Sequence, residues 1–362
     1  MKIRQKFNKH QLLKIQFIVV SLILFITISA WLFIEVTSQG PASDWFESKS
    51  ENTIVVTLPQ DDAPHQDKME WWYYNGHITS ESGKEYSFHF TTFIIQDLIS
   101  YIVKHVSLSD HQTGRHFTDQ RRTTGGGVSP EIENGFKFAL KNWEMSGSDG
   151  KDRLIVKNID FDLDLTLEST MPPVFHGNDG IIFLGQAGSS FYYSRTRMAI
   201  SGTVKIDGKT EAVTGIAWFD HQWGDFATTQ LAWAWFSLQL DEGLDVMIYQ
   251  LHDQENNSML YAGSITQNGI TRMLFDDDFT ITPLDTWTSK KTGYIYPIAW
   301  AINMPNKNIN IKTRSIIESS EFDANQTTYN VYWEGAVSIE GTHKGKGFME
   351  LYGYTDKAHK SM

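Results

Sequence analysis

The sequence predicts an all-β protein with two antiparallel barrels or sandwiches of about eight strands each. Three observations carry that prediction. Apolar and polar residues alternate with period two, as in "IDFDLDLTLE", where Phe161, Leu163, Leu165 and Leu167 alternate with Asp160, Asp162, Asp164 and Thr166. Turn dipeptides that tolerate positive φ recur between such runs, at Asn134-Gly135, Asp149-Gly150, Asp207-Gly208 and Asn268-Gly269. No long segment after residue 40 carries a 3.6-residue period, and about sixteen strand candidates are too many for one small barrel.

The N-terminal segment stands apart. Lys2, Arg4, Lys6, Lys9 and Lys14 precede a run from Phe17 to Ile34 without charge, proline or glycine. With Ile15 and Val36 added, the run fits the roughly 20 residues of a membrane-spanning helix. Basic residues before it and Glu35, Asp44 and Glu47 after it place the N-terminus in the cytoplasm and the body outside. The expected organisation is a cytoplasmic tail at 1–14, a signal-anchor at 15–36 and a linker at 37–52. A first domain at 53–226 and a second at 227–358 follow. The alternative is a cleaved signal peptide, because Val36-Thr37-Ser38 offers small residues to a peptidase, and the body would then be secreted or periplasmic.

Composition narrows function. The formal charge is −12, and the basic start makes the remainder more acidic still, which disfavours nucleic acid as a partner. The absence of cysteine removes disulfides, thiolate metal sites and cysteine nucleophiles. Twelve tryptophans suit an apolar ligand cavity as well as a core. No Gly-x-Ser-x-Gly elbow, Gly-x-Gly-x-x-Gly loop, Walker loop or His-Glu-x-x-His motif occurs. Gly125-Gly126-Gly127 reads as a flexible connection, and His111 with His116 as a weak metal pair. Asp276-Asp277-Asp278 and the run Asp253–Asn257 read as solvated turns.

Three aromatic clusters carry the chemistry. In "GIAWFDHQWGDF", a continuing strand puts His221 on one face with Phe219 and Trp223, and Asp220 on the other with Trp218. Burial there would raise the carboxyl's pKa towards general-acid use; the alternative is a structural histidine at a domain junction. In "MEWWYYNGH", Glu70, Trp72 and Tyr74 share one face, while Trp71, Tyr73 and His77 point to the other; alternatively Asn75-Gly76 is a hairpin turn. In "VYWEGAVSIEG", Trp333 and Glu334 take opposite faces. Glu70, Trp71, Trp72, Tyr73, Trp218 and Trp333 are the expected ligand-binding residues.

Together with "YYSRTRMAISGTVKIDGKTEAVTGIAWF" and "YWEGAVSIEGTHKGKGFMELYGY", these clusters resemble the AttH-like/carotenoid 1,2-hydratase family over roughly residues 53–356. The resemblance implies two tandem lipocalin-like barrels. In the carotenoid branch, water is added across a terminal double bond of an acyclic carotenoid; other relatives perform different lipophilic chemistry, including cyclisations. The family's His and Trp fall on His221 and Trp223, and its Tyr-x-Asp pair begins at Tyr249. Here Leu251 stands where the acid would be, and Asp253 comes two positions late. The expected catalytic set is therefore Asp220, His221, Trp223 and Tyr249. Asp220 donates a proton to an alkene, Trp223 and Trp218 stabilise the cation and His221 accepts a proton from water, without cofactor or metal. The expected activity is hydration or hydrolysis of an apolar, isoprenoid or lipid-like molecule. The alternatives are a non-catalytic lipophilic carrier and a partner of an envelope transporter.

Overall fold

Alternating strands can bury one face each, and the computed structural model shows two sheets doing so. It describes residues 55–124, 131–177, 179–184, 187–226, 232–252 and 258–355. The N-terminal run, Gly125–Gly127, Asp253 and part of the expected domain boundary lie outside the described residues. Among the described residues no helix is long and apolar enough to cross a membrane.

The first sheet contains β1 (Met69–Ser80), β2 (Glu85–Ile95), β3 (Tyr101–Asp110), β4 (Arg115–Thr124), β5 (Phe136–Leu140), β6 (Trp143–Ser148), β7 (Lys151–Lys157) and β8 (Phe161–Ser169). Two short strands, β9 (Val174–Phe175) and β10 (Ile181–Phe183), precede the long pair β11 (Ser189–Ile206) and β12 (Lys209–Gly224). Its order is β4-β3-β2-β1-β12-β11-β8-β7-β6-β5. The second sheet contains β13 (Ala232–Leu240), β14 (Leu244–His252), β15 (Ser258–Gln267), β16 (Ile270–Leu274), β17 (Thr280–Thr288), β18 (Ile295–Met304), β19 (Ile309–Ser315), β20 (Glu321–Asp323), β21 (Val331–Gly341) and β22 (Gly345–Tyr352). Its order is β16-β15-β14-β13-β22-β21-β19-β18-β17. In both, the first and last long strands are neighbours and meanders extend to either side.

The turn signals are placed as their chemistry requires. Asp207-Gly208 and Asn268-Gly269 each have two successive positive φ values, the geometry of a tight hairpin. Asn75-Gly76 makes no turn: β1 runs through both residues, paired with β12 on one side and β2 on the other. A turn there would have cost two ladders of backbone hydrogen bonds.

Each sheet curls around its own apolar face into a near-barrel. Trp72, Tyr74, Phe88, Phe90, Phe136 and Phe219 belong to the first core; Phe236, Ile248, Trp300, Trp333, Met349 and Leu351 belong to the second. The outer strands of the first sheet, β4 and β5, do not pair with each other. Side chains bridge the gap: Lys104 Nζ donates to the Phe138 carbonyl at 2.6 Å, and Arg121 donates to the Leu140 carbonyl at 3.0 Å while lying 3.9 Å over the Trp143 ring. Burial pulls the Lys104 ammonium down to about 7.

A segment before β1 plugs the first barrel. Asp62 is buried and accepts hydrogen bonds from the Tyr193 hydroxyl, from Arg195 Nη2 at 3.2 Å and from the Asp149 N–H at 2.6 Å. Asp62→Ala leaves the buried Arg195 guanidinium without its carboxylate and is expected to cost about 3–5 kcal/mol. Urea denaturation of parent and variant measures it; a loss below about 1 kcal/mol would show that the plug is not held by this charge.

Candidate active site

The two near-barrels meet through the outer faces of β1, β2, β11 and β12 on one side and β13, β14, β21 and β22 on the other. Buried polar contacts fix the docking. His77 contacts the Gly347 carbonyl at 3.1 Å, and Asp245 accepts from Thr196 at 2.7 Å and from Arg197 at 2.8 Å. His105 bonds the Tyr332 hydroxyl at 3.0 Å and Thr327 at 2.8 Å. Between the sheets lies a cavity of about 400 Å³.

Strand register builds its walls. Across the first sheet one row runs Ser194, Asp220, Tyr73, Thr91 and His105, and the next runs Tyr192, Gln222, Trp71 and Phe93. The second sheet faces them with a row of Tyr249, Trp235, Glu350 and Glu334 and a row of Leu251, Trp233, Tyr352 and Tyr332. All but Ser194 line the cavity, and no lysine or arginine is among its lining residues. The cavity thus combines a largely aromatic wall with three carboxyls.

Those carboxyls are held towards their neutral forms. Burial raises Asp220 to about 7, against hydrogen bonds from Ser194 and from Trp218 Nε1 at 2.7 Å. Burial raises Glu350 to about 7 as well, and the nearby Asp220 adds to it. Glu334 is pushed up by burial and by its cross-strand neighbour Glu350, although Tyr73 donates to it at 2.5 Å. Two carboxyls facing each other on paired strands resist carrying two charges. His89 stands behind Glu334 with Nε2 3.5 Å from the carboxylate and Nδ1 2.6 Å from Ser107 Oγ; burial keeps it neutral. The Tyr249 hydroxyl is buried and has no hydrogen-bond partner in the cavity wall.

The residues expected from the sequence divide by face. Trp71, Tyr73, Asp220 and Tyr249 line the cavity, and Trp218 supports Asp220 while meeting Trp235 edge-on at 6.5 Å. Glu70, Trp72, His221 and Trp223 point into the first barrel, and Trp333 sits in the second core with Nε1 bonded to the Glu318 carbonyl. The expected pairing of Asp220 with His221 and Trp223 on one substrate therefore does not form. Consecutive strand residues project to opposite faces, so a molecule in the cavity meets Asp220 and not His221. Leu251 also lines the cavity, one row away from Tyr249 and Glu350, so the wall's acids come from β21, β22 and β12 instead of β14.

His221 belongs to a different constellation. Its Nε2 lies 2.8 Å from Glu70 Oε1, which also meets His65 Nδ1 at 2.7 Å; the His65 N–H donates to Glu70 Oε2 at 2.9 Å. Burial would raise the Glu70 carboxyl, but the bonds from His221 and His65 outweigh it and hold it low; Asp61 and Glu70 lift His65 to about 9 despite burial. His65 stacks on Trp223 at 4.1 Å and 2°. These three donors converge closely enough for a metal ion. The fit is poor: ligation through His221 Nε2 would put the proton on Nδ1, which is buried and has no partner. With the proton on Nε2 and Glu70 accepting, the trio satisfies itself as an ion pair.

The profile of the AttH-like family matches residues 49–354. The chain belongs to the AttH-like family. It is similar to the crystal structure of an AttH protein from Nitrosomonas europaea, with 28% identity and a TM-score of 0.76, covering 84% of this chain and 99% of that one. Kievitone hydratase from Nectria haematococca shares the fold at 20% identity and a TM-score of 0.67, over 84% and 95% of the two chains. The dehydratase asqC of Emericella nidulans is 24% identical over 210 residues, 54% of this chain, and the match spans only 58% of that relative's length.

Glu350 was missed in the sequence, although "GKGFMELYGY" alternates in a way that groups it with Phe348 and Tyr352. Its partners Asp220 and Glu334 come from distant strands, and nothing local signals their meeting. For Asp220, a folded pKa of about 7 against an ordinary 3.8 means that the folded state keeps a proton the unfolded chain releases. This contribution is complete below about pH 4 and is lost as pH rises to about 7. Asp220→Asn keeps an acceptor for Ser194 and Trp218 and is expected to flatten that loss. Thermal unfolding near pH 5 and near pH 8 tests it: equal pH dependence in parent and variant would mean that Asp220 is ionised throughout.

Proposed function

We propose that this protein adds water to, or removes it from, an apolar small molecule held between the two sheets, by acid–base chemistry of the cavity carboxyls. The observation that carries this reading is the placement of Asp220, Glu334 and Glu350 in one aromatic cavity with no lysine or arginine among its lining residues. An alkene is a feeble base and needs a strong proton donor, and a carboxylic acid kept neutral near pH 7 supplies one.

In the hydration direction, Asp220 transfers its proton to the less substituted alkene carbon and becomes carboxylate. The positive charge develops on the other carbon, where the faces of Trp71, Trp233 and Trp235 stabilise it by roughly 2 kcal/mol per desolvated ring. Water, held by the Glu350 carboxyl, adds its oxygen to that carbon and gives a proton to the Asp220 carboxylate, which restores the acid. The alcohol formed hydrogen-bonds to the free Tyr249 hydroxyl. Dehydration is the same sequence reversed. Kievitone hydratase and the dehydratase asqC, similar in fold and in sequence respectively, bear names of this reaction type.

The uncharged N-terminal run supports a body tethered outside the cytoplasmic membrane, where lipophilic substrates accumulate. Leu251, apolar at a position where the resemblance implies an acid, favours the carrier as a second reading.

Incubating the purified full chain with acyclic isoprenoids that carry a terminal double bond, and with their tertiary alcohols, is expected to give products shifted by the mass of one water. Asp220→Asn and Glu350→Gln are each expected to reduce turnover by about 10²–10⁴-fold. Turnover of the parent should fall as pH rises past about 7, where the acid is lost. Retention of these molecules by native mass spectrometry, with no mass shift at any pH, would replace the enzyme with the carrier.

A further inference from the structure

The cavity has a floor and a mouth. Tyr73, Asp220, Trp235 and Glu334 are buried, whereas Met69, Trp71, Phe93 and Ile95 towards the start of β1 and the end of β2 are half-exposed, as are Trp233 and Tyr352 opposite. Register puts the mouth at one edge of the first sheet: Met69 pairs with Ile95 and Gly224, and nearby Ser189 and Ser190 at the start of β11 pair with Phe183 and Ile182.

Large apolar side chains are exposed around this same edge. Leu98 is 99% exposed and Ile99 54%, at the tip of the β2–β3 hairpin just past Ile95; Tyr329 is 73% exposed, between Thr328 and Asn330 of the cavity wall; Phe183 is 38% exposed, between Ile182 and Leu184 of that wall. A fully exposed leucine beside a half-exposed isoleucine on one hairpin tip is unfavourable in water and favourable in acyl chains.

The chain also enters the body here. The Val55 N–H donates to the Asp179 carbonyl at 2.9 Å, and Val56 packs against Gly180, just before β10. Upstream of Val55, residues 35–54 lead back to the uncharged run from Phe17 to Ile34. The chain thus enters the described body towards the same end as the apolar mouth, and the apolar run lies upstream of that entry in sequence. Such a pairing is what a protein lying on a bilayer requires.

We propose that the cavity mouth docks on a lipid bilayer, with Leu98 and Ile99 entering the acyl region, so that an apolar ligand passes between membrane and cavity without crossing water. The ligand's path rests on the reading of the cavity given above; the docking does not, and its test involves no turnover.

The absence of cysteine allows the full chain to be labelled at one position at a time. Leu98→Cys, Ile99→Cys, Ile159→Cys and Leu284→Cys would each carry an environment-sensitive fluorophore in phosphatidylcholine liposomes. Ile159 is fully exposed and precedes β8, whose Phe161 pairs with Ile206 at the far end of β11; Leu284 is exposed on β17. The labels at 98 and 99 are expected to shift to the blue and to lose most of their emission when the lipid carries a nitroxide on its acyl chain, while those at 159 and 284 keep theirs. Labels at 98 and 99 that behave like the one at 159 would overturn the docking. A blue shift at 98 that ignores nitroxide lipid but grows with protein concentration would overturn it in favour of a second copy of the chain. Failure of hydration with quenching intact would remove the enzyme and leave the docking.

Discussion

The structure depends on the two-residue period of a pair of central strands. β1 and β12 together form a wall with a barrel core on one side and a cavity on the other, and each successive side chain changes sides. Glu70, Trp72, His221 and Trp223 therefore face the interior of the first barrel, while Trp71, Tyr73, Asp220 and Gln222 face the cavity. Because both strands are paired on both edges, neither can shift register by one residue without exchanging the two sets. An Asp-His dipeptide that looks like a catalytic couple is divided between two environments by the backbone.

The same wall explains the electrostatics. A carboxyl placed among aromatics and away from water loses the solvation that normally keeps it charged, and the three cavity acids have no guanidinium or ammonium beside them in the lining to compensate. On the other side, Glu70 is just as buried but accepts from two histidines, and it stays ionised. Two glutamates and an aspartate held towards their neutral forms, and one glutamate committed to an ion pair, differ in what their neighbours offer.

Much of this was legible in the sequence. Alternation in "IDFDLDLTLE" and the recurring turn dipeptides pointed to the fold class, and the faces of Trp71, Tyr73, Asp220, His221 and Trp333 follow from counting by two. The location of the cavity was not legible. Lipocalin-like barrels suggest a ligand inside one barrel, but both interiors are filled by side chains and the cavity lies between them. That arrangement depends on how two sheets dock, through contacts such as Tyr73 with Glu334 that are 261 residues apart. Period and composition describe each strand against its neighbours and say nothing about such distances along the chain.

The neighbouring positions of first and last strands bear on how the molecule is made. β1 cannot complete its ladder until β12 has been synthesised, and β13 waits in the same way for β22. During synthesis the aromatic-rich β1 spends the passage of the whole first sheet with one edge unpaired, and contacts of such long sequence separation form slowly. The cavity comes later still, since it needs both sheets closed and pressed together. Newly made chains thus pass through a stage with the wall's tryptophans uncovered.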